Sequence, residues 1–313
     1  MRVLKRYISL VLLVGTITYI HATGSPEGGG AVVPDRETVS VTHDLGTVSV
    51  PLKPSPIVVF GFDTLDTLNV LGVPVDSVPK ANLPKYLNKY AGDDIHDAGT
   101  LFEPDFEAIF DVQPEAMFIS SRQAGLYDEF ARIAPTVYLT VRTGDFMESV
   151  RENARLLASL YGKSTEVEKV LDDLDNRAAA IRMATKGATA LMIMVNDGAL
   201  SVYGPGSRFD IVYTNLGFTP AHDSIEVSTH GQSISFEYLV EHDADYLIVL
   251  DRGAAISGTS TARSVLNNAL VRETSAFVND HIIYASPQAW YLAAGGLEAT
   301  STMFSDIESV IGK

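Results

Sequence analysis

Cysteine is absent from all 313 residues of the chain. A protein without thiols has no disulfide framework and no thiolate metal site. Residues 13–16, LVGT, have the form of a bacterial lipoprotein box in which Thr16 occupies the place of the lipidated cysteine. We therefore expect no lipid anchor on this protein.

Basic residues are also scarce. The chain has 23 Lys and Arg against 39 Asp and Glu, which gives a formal net charge of −16. Nucleic-acid binding requires clustered positive charge to neutralise phosphates, so the composition argues against that role. An anionic small ligand would need a local cationic patch.

The longest apolar run is short and lies at the N-terminus. Residues 8–20 are mostly apolar and follow Arg2, Lys5 and Arg6. This pattern is typical of a secretory signal and too short and interrupted for a membrane span. We predict a signal peptide over 1–22, a flexible Gly/Pro tether over 23–38, and a mature protein that does not insert into a membrane.

Common catalytic motifs are missing as well. No two of the seven histidines stand four residues apart with a glutamate between them, which argues against a zinc-hydrolase helix. The segment YGPGSRFD lacks the GK[ST] ending of a phosphate loop, and Ser207 lacks the spacing of a nucleophile elbow. We do not expect an enzyme, although an exported hydrolase that uses Ser207 or Ser233 remains an alternative.

Strand and helix patterns alternate over most of the chain, which predicts an α/β fold with mainly parallel sheets. Residues 146–186 break this rhythm, because they carry apolar residues at helical spacing and contain no strand pattern. We interpret this segment as one long helical spine, or two nearly collinear helices. It would join an N-terminal lobe at 39–145 to a C-terminal lobe at 187–313.

An internal repeat supports two related lobes. Residues 106–122, FEAIFDVQPEAMFISSR, align without a gap to residues 236–252, FEYLVEHDADYLIVLDR, at an offset of 130 positions. Three of the 17 pairs are identical, including the final arginines, Arg122 and Arg252. Both arginines follow a predicted strand, and ligands of parallel α/β sheets bind beyond the carboxyl ends of the strands.

Further candidate residues follow the later strands. Arg208 stands before a predicted helix, where free N–H groups favour an anion. His230 lies in the polar loop VSTHGQS, and Trp290 and Tyr291 follow the last strand. Together with the paired arginines, they predict a cationic cleft between the lobes.

Several segments resemble a known family. LGVPVDSVPKANLPKYLNKY (71–90), AGTLFEPDFEAIFDVQPEAMFISSRQ (98–123) and the GSRF, THG, LDRG and WYLAAGG segments are similar to periplasmic iron–siderophore-binding proteins of ABC importers. The similarity covers about residues 40–313 and is strongest to the branch that binds catecholate siderophores such as enterobactin fragments or petrobactin. The resemblance implies two α/β lobes joined by a long helix, with the ligand between them, and a periplasmic monomer.

The resemblance also implies roles for individual residues. Arg122, Arg208 and Arg252 would face an anionic ferric catecholate, with Trp290 nearby. His230 and Tyr291 would complete the coordination of iron, and Glu107 and Glu237 would dock onto a membrane permease. It implies a ferric siderophore as cargo, with no intrinsic cofactor. A haem or cobalamin carrier of the same fold remains an alternative.

Overall fold

The computed structural model describes residues 36–228, 230–259 and 261–312. The predicted signal peptide and most of the predicted tether lie outside these residues. The last tether residues differ from the prediction, because the first strand already begins at Thr38. Arg36 is fixed to the folded body through an ion pair with Glu115 and a 2.9 Å hydrogen bond to the carbonyl of Lys53.

The N-terminal part contains a two-stranded hairpin and a five-stranded sheet. The hairpin pairs β1 with β2 around a turn at Asp44 and Leu45, and the sheet has the order β5-β4-β3-β6-β7 with every described pair parallel. The elements are β1 Thr38–His43, β2 Gly46–Pro51, β3 Ile57–Val59, α1 Phe62–Val70, β4 Ser77–Val78, β5 His96–Asp97, α2 Phe106–Val112, β6 Ala116–Ile119, α3 Tyr127–Ala131 and β7 Thr136–Tyr138. Two 3₁₀ helices are added at Lys85–Ala91 and Ser121–Leu126. The parallel sheet predicted from the alternating pattern is confirmed.

The linking segment consists of two helices, α4 Phe146–Tyr161 and α5 Ser164–Ala184. Gly162 ends α4 with a left-handed φ of 67°. The interpretation of nearly collinear helices is wrong, because Arg155 pairs with Glu168 at 2.8 Å. At 1.5 Å per residue, collinear helices would hold these two side chains roughly 20 Å apart. The two helices therefore fold back on each other, with α4 against α1 and α5 against the C-terminal helix.

The C-terminal part contains a mixed sheet of order β11-β9-β8-β12-β13, with β10 paired to the start of β8. Strands β8, β10, β12 and β13 are parallel, whereas β9 is antiparallel to both of its neighbours. The elements are β8 Thr189–Asn196, β9 Ala199–Tyr203, α6 Ile211–Thr214, β10 Thr219–Pro220, β11 Gln232–Ile234, α7 Phe236–Glu241, β12 Tyr246–Asp251, α8 Arg252–Ile256, α9 Ala262–Val265, α10 Ala269–Glu273, α11 Ser275–Val278, β13 Ile282–Tyr284, α12 Pro287–Tyr291 and α13 Leu297–Ile311. No helix within the described ranges is long and apolar enough to cross a membrane.

The sequence repeat has a structural counterpart. Helix α2 begins at Phe106 and helix α7 at Phe236, and each leads into a central strand, β6 and β12 respectively. The offset of 130 positions therefore relates a helix and the strand after it in one lobe to a helix and the strand after it in the other.

The two lobes share one apolar core that extends from Val41 in β1 to Val310 in α13. Within it, the fully buried carboxylate of Asp66 accepts hydrogen bonds from the backbone N–H groups of Glu298 (2.8 Å) and Ala299 (2.9 Å) and so caps α13 from the other lobe. Residue 296 must be glycine, because a Cβ there would lie 2.5 Å from the carboxyl carbon of Asp66. Gly296 thus permits close packing between the backbone of the WYLAAGG segment and Asp66 of the N-terminal lobe.

Candidate ligand cleft between the lobes

A cavity of about 310 Å³ lies between the two lobes. The N-terminal lobe lines it with the turn after β6 and the loop after β7, and the C-terminal lobe with the turn before α6 and the end of α12. Arg122, Arg208 and Tyr291, three of the residues predicted for the site, line this cavity. The expected cleft at the carboxyl ends of the strands is therefore present.

The segment SSRQ forms a locked turn that presents Arg122. Ser120 and Gln123 make a reciprocal capping box at the start of the 3₁₀ helix, and Gln123 is fully buried. Arg122 lies between these two anchors and is partly exposed on the cavity wall. Among the described residues, the guanidinium of Arg122 has no hydrogen-bond or ion-pair partner, so it is available to an anion.

Asp63 lies close to Arg122 in the same cavity. Burial raises the pKa of Asp63 to about 6, although the N–H groups at the start of α1 and the charge of Arg122 act in the opposite direction. Near neutral pH, this carboxylate therefore partly offsets the positive charge of the N-terminal wall.

Arg208 and Tyr291 are in direct contact on the opposite wall. The guanidinium of Arg208 lies 4.7 Å from the centre of the Tyr291 ring and donates a 3.1 Å hydrogen bond to the Tyr291 carbonyl. Desolvation by the cavity walls lowers the pKa of Arg208, and repulsion from Arg122 adds to this effect. An arginine remains charged under any ordinary condition, so the two guanidinium groups repel each other across the cavity.

Arg252 supports the phenol of Tyr291. As the first residue of α8, it donates a 2.9 Å hydrogen bond to the Tyr291 hydroxyl and a 3.1 Å bond to the amide oxygen of Asn196. Arg252 does not itself line the cavity but lies behind Tyr291. Because the phenol accepts from Arg252, the structure holds its oxygen in one position beside the cavity.

The expectation that Trp290 lines the cleft is wrong. Its side chain is fully buried, and the indole N–H donates a 2.9 Å hydrogen bond to Asp306 in α13. Its ring lies against Phe209, which stacks edge-on against Tyr203. Trp290 therefore belongs to a buried aromatic layer with Phe209 and Tyr203.

His230 lies outside the cavity lining and is exposed on its loop. Its carbonyl accepts a 2.8 Å hydrogen bond from the Tyr203 hydroxyl, which ties the loop to the aromatic layer. The described residues contain no group of three His, Cys, Asp or Glu that could hold a metal ion. A role for His230 in iron coordination thus stays a prediction.

Three residues of the site were not identified from the sequence. Arg142 lines the cavity and pairs with Glu152 at 2.7 Å, Asn196 fixes Arg252, and Asp63 faces Arg122. Arg142 follows β7 and Asn196 ends β8. The rule that singled out Arg122, a polar residue beyond the carboxyl end of a strand, could have found both.

Ser207 does not have the environment of a nucleophile. It is buried, and its hydroxyl oxygen accepts a 3.3 Å hydrogen bond from the N–H of Phe209. Within the described ranges, no histidine makes a hydrogen bond to Ser207 or Ser233. The geometry gives no support to the hydrolase alternative.

The two glutamates predicted to dock on a permease occupy equivalent places. Glu107 and Glu237 are exposed second residues of α2 and α7. Hydrogen bonds from its own N–H and from the Ser235 hydroxyl lower the pKa of Glu237, so that it is ionised at neutral pH.

With this geometry described, comparison with known proteins identifies the family. A family model described as "Periplasmic binding protein" matches residues 57–289. The chain belongs to the periplasmic binding protein family. The family match covers the cavity-lining residues Arg122 and Arg208, and also Arg252 behind Tyr291.

Individual members of the family are similar over nearly their full length. Petrobactin-binding protein YclQ of Bacillus subtilis is 38% identical, with 99% of this chain and 100% of the relative covered. Its crystal structure matches with a TM-score of 0.85 at 39% identity, covering 89% of this chain and 100% of that chain. The periplasmic catecholate-siderophore binding protein VctP of Vibrio cholerae matches with a TM-score of 0.83 at 34% identity, covering 87% and 100%. The ferric-anguibactin-binding protein FatB of Vibrio anguillarum is 28% identical over 88% of each chain.

Proposed function

We propose that this periplasmic binding protein captures a ferric catecholate siderophore between its lobes and delivers it to the permease of an ABC importer. The relatives named above bind petrobactin, ferric anguibactin or a catecholate siderophore, as their names state. On this proposal the protein is an exported, monomeric receptor without a lipid anchor. It binds its cargo and carries out no chemistry on it.

The contact between Arg252, Arg208 and Tyr291 carries the proposal. A phenol oxygen is fixed by one guanidinium, and a second guanidinium lies over its ring. Arg122 adds a third cation on the facing wall, without a partner among the described residues. Two arginines in contact with the phenol and a third on the facing wall suit a ligand that combines negative charge with a metal ion.

Catecholate chemistry matches this arrangement. Two catecholates bring four negative charges to Fe³⁺, which leaves a complex of charge −1 with two open coordination positions. Arginine binds oxyanions through several charge-assisted hydrogen bonds, so Arg122 and Arg208 would hold the catecholate oxygens. Fe³⁺ is a hard ion that prefers oxygen donors, and the phenol of Tyr291 supplies one.

His230 is proposed as the second iron ligand. Its side chain lies outside the cavity lining, so ligation requires its loop to approach Tyr291. Imidazole is an acceptable ligand for iron, and the hydrogen bond from Tyr203 keeps the loop on the C-terminal side of the cleft.

A titration with the ferric complex of a linear bis-catecholate tests the proposal. We expect a shift of the charge-transfer absorption band of the complex and quenching of Trp290, the only tryptophan, at micromolar concentrations. Trp290 is a suitable reporter because it precedes Tyr291 directly. The absence of any spectral change at these concentrations would refute the proposal, and a Soret or corrin spectrum of the purified protein would favour the haem or cobalamin alternative.

Variants of the two proposed ligands test the coordination itself. Tyr291→Phe and His230→Ala should each weaken binding of the tetradentate complex more than binding of a hexadentate tris-catecholate, whose iron has no open position. Tyr284→Phe is a matched control, because Arg263 lies 3.8 Å from the Tyr284 ring centre outside the cavity lining. Equal weakening of both complexes would show that neither residue contacts the iron.

A further inference from the structure

The two helices that carry Glu107 and Glu237 are equivalent in burial as well as in sequence. From the first residue of each helix, the six pairs at the offset of 130 have the same burial at five positions. The exception is the fifth pair, Phe110 and Val240. The Phe110 side chain is 62% exposed, whereas Val240 is partly covered.

The difference arises from what packs on each helix. In the C-terminal lobe, α10 packs against α7. Helix α2 has no comparable helical neighbour among the described residues. Phe110 is therefore exposed because the N-terminal lobe lacks a counterpart of α10.

Phe110 lies on the same helix face as Glu107, because residues three positions apart on a helix are neighbours. Helices that connect parallel strands run opposite to them, which brings the first turn of α2 to the carboxyl-end edge of the sheet, where the cleft opens. The exposed carboxylates of Glu103, Asp105 and Asp111 flank this face in the chain, and Phe102, in the turn before α2, is 75% exposed. The surface thus combines concentrated negative charge with an exposed aromatic ring.

We propose that Phe110 is the apolar contact by which the N-terminal lobe docks on the permease, an inference that rests on the proposed function. The occupant is a membrane permease whose outward face offers a cationic group for Glu107 beside an apolar recess for the ring. Charge complementarity argues for this occupant, because the face is acidic. Aromatic side chains are enriched at the centres of protein–protein interfaces and charged groups lie at their rims, which matches an exposed Phe110 with Glu107 beside it.

The contact of Phe110 would also fix the orientation of the receptor on the permease. Glu107 and Glu237 are equivalent carboxylates, and a pair of equivalent charges allows two orientations on a partner with two cationic sites. Phe110 is present in one lobe only, since its counterpart is the smaller, partly covered Val240. It therefore selects one of the two orientations.

Iron uptake by cells tests the inference. Cells of the organism that makes this protein, with the receptor gene deleted, would express wild type, Phe110→Ser or Phe110→Leu. The uptake of radioactive iron would then be measured with a ferric bis-catecholate. We expect Phe110→Ser to lower the uptake rate at limiting receptor about tenfold, as for loss of an interface anchor. Phe110→Leu should retain most of the rate, and the affinity of each purified variant for the ferric complex should equal that of wild type.

Two further variants serve as controls. Val240→Thr changes the equivalent position of the other lobe, and Met183→Ser removes an 81% exposed apolar side chain at the end of α5, close to the amino end of β8. Both should leave uptake unchanged at equal receptor levels.

The outcomes separate this inference from the proposed function. Unchanged uptake with Phe110→Ser, or an equal loss with Met183→Ser, would overturn the docking role of Phe110 while ligand binding stands. A wild-type protein that does not bind the ferric complex would overturn the proposed function, and the docking inference with it.

Discussion

The two lobes contribute their cations to the cleft in different ways. In the C-terminal lobe, Arg252 is held by Tyr291 and Asn196, and Arg208 is stacked on Tyr291. In the N-terminal lobe, Arg122 stands on a locked turn, and its guanidinium has no hydrogen-bond partner among the described residues. The side chains of the C-terminal wall are therefore held in place before the ligand arrives. On the N-terminal wall, the guanidinium of Arg122 has no such partner among the described residues.

This difference suggests an order of events. A preorganised wall loses little freedom when it binds and therefore favours the first contact. An anion bound there would also cancel the repulsion between Arg208 and Arg122 across the cavity. The ligand then becomes the missing partner of Arg122.

The largest expected effect comes from removing an arginine on either side. Arg122→Ala should weaken binding of a ferric bis-catecholate by about 2 kcal/mol or more, because a buried anion loses a charged partner. Arg252→Ala should weaken binding by a similar amount, about 2 kcal/mol, because the phenol of Tyr291 loses the guanidinium that holds it beside the cavity. Only Arg252→Ala should also lower the melting temperature of the empty protein, since only Arg252 has partners in it. Titration and thermal unfolding measure both effects, with Arg263→Ala, outside the cavity lining, as the control.

The comparison between the lobes would fail if Arg122→Ala destabilised the empty protein as much as Arg252→Ala. It would also fail if Arg122→Ala left ligand affinity unchanged.

A second test removes one contact between the lobes, the Asp66 cap on α13. Asp66→Ala would leave the N–H groups of Glu298 and Ala299 and the Tyr86 hydroxyl, which donates to Asp66 at 2.7 Å, without their acceptor. We expect a loss of about 2 kcal/mol in the free energy of unfolding, as for a buried helix cap. Denaturant unfolding measures the loss, and Asp76→Ala, whose carboxylate accepts only within the N-terminal lobe, is the control. If Asp66→Ala lowered the free energy of unfolding no more than Asp76→Ala does, the inter-lobe contact would not be a major source of stability.

The pH dependence of stability provides a smaller effect. Burial raises the pKa of Asp66 from an ordinary 3.8 to about 7. The folded protein therefore holds this proton more tightly than the unfolded chain does, and stability falls as pH rises from about 4 to 7. Asp66→Asn cannot ionise, so its melting temperature should decline less over this range than that of wild type. Parallel declines in both proteins would show that Asp66 is not the group responsible.

The smallest expected effect is an increase in affinity. Asp63→Asn removes a negative charge beside Arg122 and should strengthen binding of the anionic complex a few-fold at about pH 8. The gain should vanish near pH 5, because the pKa of Asp63 is raised to about 6 and its carboxyl group is then mostly neutral in wild type. Titrations at both pH values test this, and a gain that is independent of pH would contradict the assignment.

The alternating pattern of the sequence was sufficient to predict the α/β lobes and the places of Arg122 and Arg252 beyond their strands. These features depend on local periodicity, which a sequence displays directly. The relation between α4 and α5 could not be predicted in this way, because it depends on contacts such as Arg155 with Glu168. A glycine such as Gly162 can mark the end of a helix, but it does not indicate the direction that the chain takes after it.

The candidate site was predicted in part for a similar reason. Neighbours in sequence can face opposite sides of a helix, so Trp290 is buried against Asp306 while Tyr291 reaches the cavity. Asp63 was missed because a carboxylate is not expected at an anion site. Its place follows from the packing of α1 against the other elements of the cleft.

The cap on α13 has a consequence for how the chain matures. Asp66 is made early, whereas its backbone partner Glu298 follows 232 residues later. The first lobe therefore lacks part of its interior until the last helix is available. If the chain is exported as proposed, residues 67–297 must cross the membrane before Asp66 can meet these partners.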